Sequence, residues 1–200
     1  MKRIAVLALL ALVLPITAVA KSVDFSNSGG TLTGSTAGLT LAGSELIGIN
    51  GLGTGGGATG SLGSVTFSTG SMISMSATGA TFNAGGSFII TGNGTNGIPN
   101  GVIFNGSFSG TVTLTLVSAT AAGDIYSLTG AISGTWYNGT TVSGATSQIY
   151  LFTGKNGWMG TSTVGSGDTI ISTVPEPGTL GLLGTGLVGL AGVIRRKFRA

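Results

Sequence analysis

A regular alternation of apolar and polar residues constrains the second half of the chain more than any other feature. Between positions 102 and 116 the odd positions are mostly Asn, Ser and Thr, and the even positions are Val102, Phe104, Gly106, Phe108, Gly110, Val112, Leu114 and Leu116. The same phase returns in Tyr126, Leu128, Gly130, Ile132, Gly134 and Trp136. A period of two buries one face of an extended strand and leaves the other face in water. We therefore predict two long strand segments that are adjacent in an antiparallel sheet and joined by the sequence SATAAGD.

Turn signals divide the rest of the middle region into short strands. Asn138 and Gly139 separate two alternating runs and predict a hairpin, because both residue types tolerate positive φ. Asn156 and Gly157 predict a second hairpin, between the sequences IYLFTG and WMGTSTV. The glycine-rich residues 48–63 are expected to form a flexible loop, because glycine loses much backbone entropy when it is ordered. Further short strands are predicted over residues 63–68, 71–76, 87–91 and 169–173.

These strands predict an all-β domain over residues 21–173, since no segment has the spacing of an amphipathic helix. Many short strands separated by turns are typical of an antiparallel β-sandwich or a barrel-like sheet. The alternative is a β-solenoid, because GS or GT followed by Val or Phe recurs at Gly63, Gly86, Gly106 and Gly110. The irregular intervals between these copies disfavour that alternative, which requires coils of nearly constant length.

The N-terminal residues 1–20 have the composition of a secretory signal peptide. Lys2 and Arg3 are followed by an apolar run that ends at Pro15, and Ala18 and Ala20 provide small residues before a cleavage point. This order of a basic start, an apolar run and a small-x-small site is typical of export signals. We therefore predict cleavage after Ala20 and export through the Sec route.

The C-terminal residues 174–200 differ from the rest of the chain. A short motif at 174–177 contains Pro175, Glu176 and Pro177, and the uncharged residues 178–194 follow it. As a helix, residues 178–194 would span about 25 Å, slightly less than a hydrocarbon core of about 30 Å. The last segment, 195–200, carries the basic residues Arg195, Arg196, Lys197 and Arg199. Basic residues beside a membrane span remain cytoplasmic, so we predict one transmembrane helix with the β domain outside.

The net charge of +3 is misleading about the β domain, because most cations lie in the terminal segments. Residues 21–173 contain two cations, Lys21 and Lys155. They contain four anions, Asp24, Glu45, Asp124 and Asp168, which gives a net charge of −2. Nucleic-acid binding requires clustered Lys and Arg to neutralise phosphates. We therefore expect no nucleic-acid partner.

The residues that most often carry catalysis are missing from the sequence. The chain contains no cysteine and no histidine, which removes the thiol nucleophile, the commonest general base and the usual zinc ligands. The four acids are scattered, so the sequence gives no sign of the paired carboxylates that a glycosidase uses. Three matches to G-x-G-x-x-G, at residues 51–56, 92–97 and 184–189, lack the strand and helix of a dinucleotide site. We therefore predict no catalytic, cofactor-binding or metal-binding residues.

Aromatic residues are the remaining candidates for a binding surface. Trp136, Tyr137, Tyr150 and Trp158 lie around the two predicted hairpins, where exposed rings could stack on sugars. The phase of the alternation places Trp136 on the buried face and Tyr137 on the opposite one. Core packing is the favoured interpretation for most of the four.

The C-terminal segment resembles the PEP-CTERM sorting signal of Gram-negative bacteria. The resemblance rests on Pro175, Glu176 and Pro177, then a glycine-rich apolar helix, then Arg195, Arg196 and Lys197. It implies recognition by an exosortase-type transpeptidase, with processing near the motif and a transient anchor in the inner membrane. It also implies an association with exopolysaccharide and biofilm formation.

Together these features lead us to expect an exported, non-enzymatic protein of the cell surface or extracellular matrix. The alternative is a secreted carbohydrate-binding or carbohydrate-active domain, suggested by the aromatic residues and by the polysaccharide association of the family. No cofactor is expected in either case.

Overall fold

Antiparallel strands make up most of the regular structure in this chain. A computed structural model describes residues 21–53, 56–153 and 157–173, and Ser22–Thr173 form a compact unit. The strands are β1 (Lys21–Ser28), β2 (Thr31–Ser35), β3 (Gly38–Asn50), β4 (Ala58–Ser68), β5 (Met72–Ser76), β6 (Gly79–Phe82), β7 (Gly85–Asn93), β8 (Asn100–Phe108), β9 (Val112–Ala119), β10 (Asp124–Trp136), β11 (Thr141–Phe152), β12 (Gly160–Thr163) and β13 (Ser166–Thr173). A single 3₁₀ turn, Thr95–Gly97, is the only helical segment in these ranges.

Eight strands close into an antiparallel barrel in the order β10, β11, β13, β1, β3, β4, β7, β8 and back to β10. Closure pairs the backbone N–H and C=O groups that would remain unpaired at the two edges of an open sheet. Two branches leave the barrel: β9, β6 and β5 extend from β10, and β2 with β12 extends from β3. The prediction of an all-β, barrel-like fold is confirmed. The β-solenoid alternative is wrong, because the strands pair antiparallel around a closed sheet instead of stacking as parallel coils.

The two alternating segments of the sequence are neighbours, as predicted, but the first of them is two strands. The second half of β10 pairs with β8, and its first half pairs with β9. The alternation predicts a buried side chain at Val102, but Val102 is 49% exposed. A register shift between β7 and β8 leaves Ile103 between the pairs Thr91–Val102 and Ile90–Phe104. The bulge buries Ile103 next to Phe104 and turns Val102 outward, because an extra residue reverses the side-chain alternation.

The first predicted hairpin is confirmed and the second is wrong. At the β10–β11 connection, Gly139 donates its N–H to the carbonyl of Trp136 at 2.9 Å. Gly139 has a φ of 81°, but Asn138 is not in the left-handed region, so only the glycine uses the conformational freedom expected of both. Around residues 156 and 157 the flanking strands do not pair with each other. β12 pairs with β2, and β11 pairs with β10 and β13.

The expected flexible loop over residues 48–63 is much shorter in the structure. β3 continues to Asn50 and β4 begins at Ala58. The pairing of β3 with β4 contains register shifts, which accommodate glycine residues within the strands. The other short strands predicted from turn signals are confirmed within β4, β5, β7 and β13. Gly48, Gly60 and Gly63 therefore lie inside paired strands instead of in a loop.

Aromatic rings fill the interior of the barrel. Phe67, Phe88, Phe104 and Phe108 are fully buried, and Phe104 lies 4.9 Å from the ring of Trp136. The rings form one connected series of contacts through Phe25, Trp136, Phe104, Phe88, Phe108 and Phe67. Trp136 is partly buried against this core, in agreement with its phase in the sequence.

Glycines make room for these rings. Gly106 and Gly134 are paired across β8 and β10, directly beside the ring of Phe104. A Cβ at position 134 would lie 2.5 Å from the carbonyl oxygen of Asn105 and 2.7 Å from Cζ of Phe104. Any larger residue there must displace backbone or a buried ring, so the interior requires glycine at this pair.

The predicted signal peptide at 1–20 and the predicted helix at 178–194 lie outside the described residues. Over 21–53, 56–153 and 157–173, the structure contains no helix of the length and apolarity that a membrane crossing requires.

Gly134→Ala tests the glycine requirement. We expect the substitution to lower the free energy of unfolding by about 1–3 kcal/mol, because the added methyl group overpacks the Phe104 site. Gly110→Ala is the matched control, since a Cβ there meets only the Cβ of Ala131, at 3.6 Å. Urea titrations of both variants measure the difference, and equal stability of the two would contradict the packing argument.

Candidate functional site

A cleft of about 720 Å³ opens at the end of the barrel where β3 leads to β4, β7 to β8 and β10 to β11. Its apolar lining consists of Ile49, Leu52, Ala58, Ile98, Pro99 and Tyr137. Asn96 and three glycines complete the wall, and none of the lining residues is an acid or a base. Pockets of this size at the mouth of a barrel are common binding sites for small ligands.

The β7–β8 connection forms one wall of the cleft and is held by side-chain hydrogen bonds. Asn93 Nδ2 and Thr95 Oγ1 both donate to the carbonyl of Ser61 on β4, at 2.9 and 3.1 Å. Asn96 Nδ2 donates to the carbonyl of Thr59 at 2.7 Å. The dismissed G-x-G-x-x-G match at 92–97 is therefore a turn fastened to the neighbouring strand, and no α-helix follows it.

Tyr137 of the β10–β11 turn also lines the cleft and is 50% exposed. It occupies the first position of the β10–β11 turn, and its N–H donates to the carbonyl of Ile103 at 2.8 Å. The preceding residue, Trp136, is packed against Phe104. The backbone that carries Tyr137 is therefore fixed by the barrel core, while its ring faces solvent.

The four candidate aromatics do not form one cluster. Trp158 is buried and packs edge-on against Phe82 at 5.9 Å, so it belongs to the core. Tyr150 is 36% exposed on β11, and its hydroxyl accepts a hydrogen bond from Gln148 Nε2 at 2.8 Å. Of the four, only Tyr137 lines the cleft.

A second depression of about 310 Å³ adjoins the cleft on the outer face of the barrel and shares Ile49 and Ala58 with it. Its wall includes Asp24 and Ser26 of β1. Ser26 Oγ donates to Asp168 Oδ1 of β13 at 3.2 Å. Two of the four acids of the domain are therefore brought together across the β1–β13 seam.

The pKa of Asp24 is raised above its ordinary value of 3.8. Partial burial is the main cause, and the hydrogen bond with Asp168 and repulsion from the carboxylate of Asp168 add to it. The Asp24 Oδ1 atom is buried and has no hydrogen-bond partner within the described part of the chain. The pair therefore stabilises a protonated Asp24.

Sequence reasoning missed this carboxyl pair. Both acids lie on the outward phase of their strands, but they are 144 positions apart, and only the pairing of the first strand with the last brings them together. The other two acids lie elsewhere. Glu45 is exposed on β3, and Asp124 accepts a hydrogen bond from the hydroxyl of Tyr126 at 3.4 Å. In the ranges that the structure describes, no three acids, histidines or cysteines are grouped as a metal site.

Asp24→Asn tests whether the carboxyl pair lowers the stability of the folded protein at neutral pH. Because folding raises the pKa of Asp24, its stabilising contribution exists at low pH and is lost as pH rises through the raised value. Asn stays neutral at every pH, so we expect the variant to be more stable than the parent at pH 7 by about 0.5–1 kcal/mol. The difference should vanish as pH falls below about 4, since the parent is then protonated as well.

Thermal melts across this pH range measure the effect of Asp24→Asn. Glu45→Gln controls for net charge, because it removes one carboxylate from an exposed position of neighbouring β3. A variant less stable than the parent at neutral pH would refute the strained pair.

The sequence-predicted sorting and cleavage residues lie outside the described residues, at Ala18, Ala20, Pro175, Glu176, Pro177 and the basic tail 195–200. The family described as PEP-CTERM protein-sorting motif matches residues 173–197, which include the Pro-Glu-Pro sequence and the first three basic residues. No curated protein and no solved structure matches the chain. The motif implies secretion in a Gram-negative bacterium from a membrane-associated precursor that exosortase processes. The chain thus carries a PEP-CTERM protein-sorting motif at its C-terminus, as an exosortase substrate does.

Proposed function

We propose that this chain is an exported, non-enzymatic protein of the cell surface or extracellular matrix. The observation that carries the proposal is the sorting motif at residues 173–197. The motif begins at Thr173, which is the last residue of β13. All strands of the barrel therefore precede the motif, and removal of the tail near Glu176 would leave the domain whole.

The non-enzymatic part of the proposal is supported by the side chains available to the domain. The whole chain lacks cysteine and histidine, so the commonest general base and the thiol nucleophile are missing, and only the four acids of the domain could supply a carboxylate pair. Glycosidases hold their two carboxyl groups about 5–5.5 Å or 6.5–9.5 Å apart, so that the glycosidic bond fits between them. Asp168 acts directly on the carboxyl group of Asp24 and raises its pKa, whereas a glycosidase pair brackets a bond of the substrate. This close approach disfavours the carbohydrate-active alternative.

A carbohydrate-binding domain is the second candidate. It is favoured by the half-exposed ring of Tyr137 on the rim of a cleft without charged lining residues. An exopolysaccharide partner would also accord with the association that the sorting signal implies. In this candidate the barrel holds a surface or matrix glycan and does not change it.

Glu176→Gln tests the processing step. In cells that contain exosortase, we expect the parent protein to lose the peptides that cover 178–194, and the variant to retain them in the membrane fraction. The reason is that prolines on both sides of Glu176 disfavour helix, so the sequence predicts an extended site there that a membrane enzyme can reach. Mass spectrometry of membrane and extracellular fractions measures the outcome.

Glu45→Gln provides a matched control for the processing test, because it makes the same chemical change on the surface of the barrel. It should be processed as the parent is. Intact peptides spanning 174–194 in the exported parent protein would overturn the processing proposal.

The absence of catalysis is tested separately with neutral and anionic oligosaccharides. We expect no change in their chain length after prolonged incubation with the full chain, because the contacting carboxyl pair cannot bracket a glycosidic bond. Chromatography of the products is the measurement. Hydrolysis by the parent that Asp168→Asn abolishes would show an enzyme instead.

A further inference from the structure

We propose that the cleft at the end of the barrel is a binding site for a neutral saccharide, with Tyr137 as its stacking platform. This inference rests on the carbohydrate-binding candidate above and assigns it a site and a ligand class. Four features of the cleft lead to it: the position of the ring, the fixed wall of the β7–β8 connection, the mixture of polar and apolar surface, and the charge.

The ring of Tyr137 is presented to solvent by a rigid support. Its backbone is fixed by the hydrogen bond to Ile103 and by the turn that Gly139 closes. Half of its surface is exposed, although it neighbours the buried cluster around Phe104. An aromatic ring held in this way can accept the apolar face of a pyranose without loss of backbone entropy.

The wall formed by the β7–β8 connection offers hydrogen bonds to a ligand that carries hydroxyl groups. Asn96 is exposed, and its Nδ2 is held by the carbonyl of Thr59. This bond fixes the plane of the amide, and no other group in the described residues donates to its Oδ1 atom. The backbone of Asn96 is in the left-handed region, with a φ of 52°, so the turn has a defined shape. A sugar hydroxyl that donates to this oxygen would meet a preorganised acceptor.

The composition of the lining selects a ligand with both an apolar and a polar face. Ile49, Ile98 and Pro99 supply apolar contacts, while Gly53, Gly56 and Gly97 leave backbone groups uncovered by side chains. A purely apolar ligand would bury these backbone groups and the Asn96 amide without partners, which costs free energy. A saccharide has apolar ring faces and hydroxyl edges, and it matches both kinds of surface.

Electrostatics favour a neutral saccharide over an anionic one. Among the described residues no Lys or Arg lines the cleft, so a uronate or sulfate group would find no counter-charge in that lining. The adjoining depression holds Asp24, beside Asp168, and the whole domain carries a net charge of −2. An anionic glycan would therefore be repelled.

Calorimetric titration of the full chain in phospholipid nanodiscs tests the proposal. The probes are cello-, malto- and chito-oligosaccharides, with oligogalacturonate as the anionic comparison and empty nanodiscs as the blank. We expect at least one neutral series to bind, and Tyr137→Ala to weaken that binding by about three- to tenfold. Tyr137→Trp should retain it, since the stacking surface is preserved.

Tyr150→Ala is the matched control variant. Tyr150 is also a partly exposed tyrosine of the barrel, but it lies on β11 and does not line the cleft. We expect the binding of this variant to equal that of the parent. Thermal melts of all three variants verify that each remains folded.

The possible results distinguish an error in the assigned site from an error in the assigned function. Neutral glycan binding that Tyr150→Ala weakens and Tyr137→Ala does not would overturn the assigned site and leave a carbohydrate-binding function standing. Preferential binding of oligogalacturonate would overturn the ligand class. Failure of every glycan to bind would reject the carbohydrate-binding candidate itself, and with it this inference.

Discussion

Packing of aromatic rings against paired glycines inside the barrel is the interaction on which the rest of the structure depends. The ring of Phe104 lies against Gly106 and Gly134, where a side chain on either residue would take the space of the ring. Phe104 also contacts Trp136, the last residue of β10. The core thereby fixes the point at which the β10–β11 turn begins, and with it the direction of Tyr137. A site on a loop gains its geometry from the rigid sheet beneath it.

Pairing of the first strand with the last is the second determinant, because it closes the sheet. Closure places Asp24 of β1 against Asp168 of β13 and raises the pKa of Asp24. A closed sheet removes exposed strand edges, and the strained carboxyl pair reduces some of the stability that closure provides. Pairing of β1 with β13 also places the first and last strands of the domain side by side. The sorting motif begins at the last residue of β13.

The chain divides its tasks between segments of different chemistry. The two terminal segments, 1–20 and 174–200, hold six of the eight cations, and the domain between them is weakly acidic and built largely from glycine, hydroxyl and apolar residues. Such a composition suits a passenger that folds after export and presents neutral surfaces. The end cleft has the same character, since its lining includes a phenol ring, an amide and glycine backbone.

The sequence by itself determined the strand content, the hairpin at Gly139, the burial of Trp136 and the sorting motif, because each depends on residues close together in the chain. Periodicity failed at Val102, where one bulged residue reversed the phase. The loop expected over residues 48–63 from glycine content is shorter, because Gly48, Gly60 and Gly63 lie inside β3 and β4. The partner of β12, the carboxyl pair and the cleft were decided only by the tertiary structure. Each of these joins residues that are far apart in sequence, and local spacing carries no information about which strands become neighbours when a sheet closes.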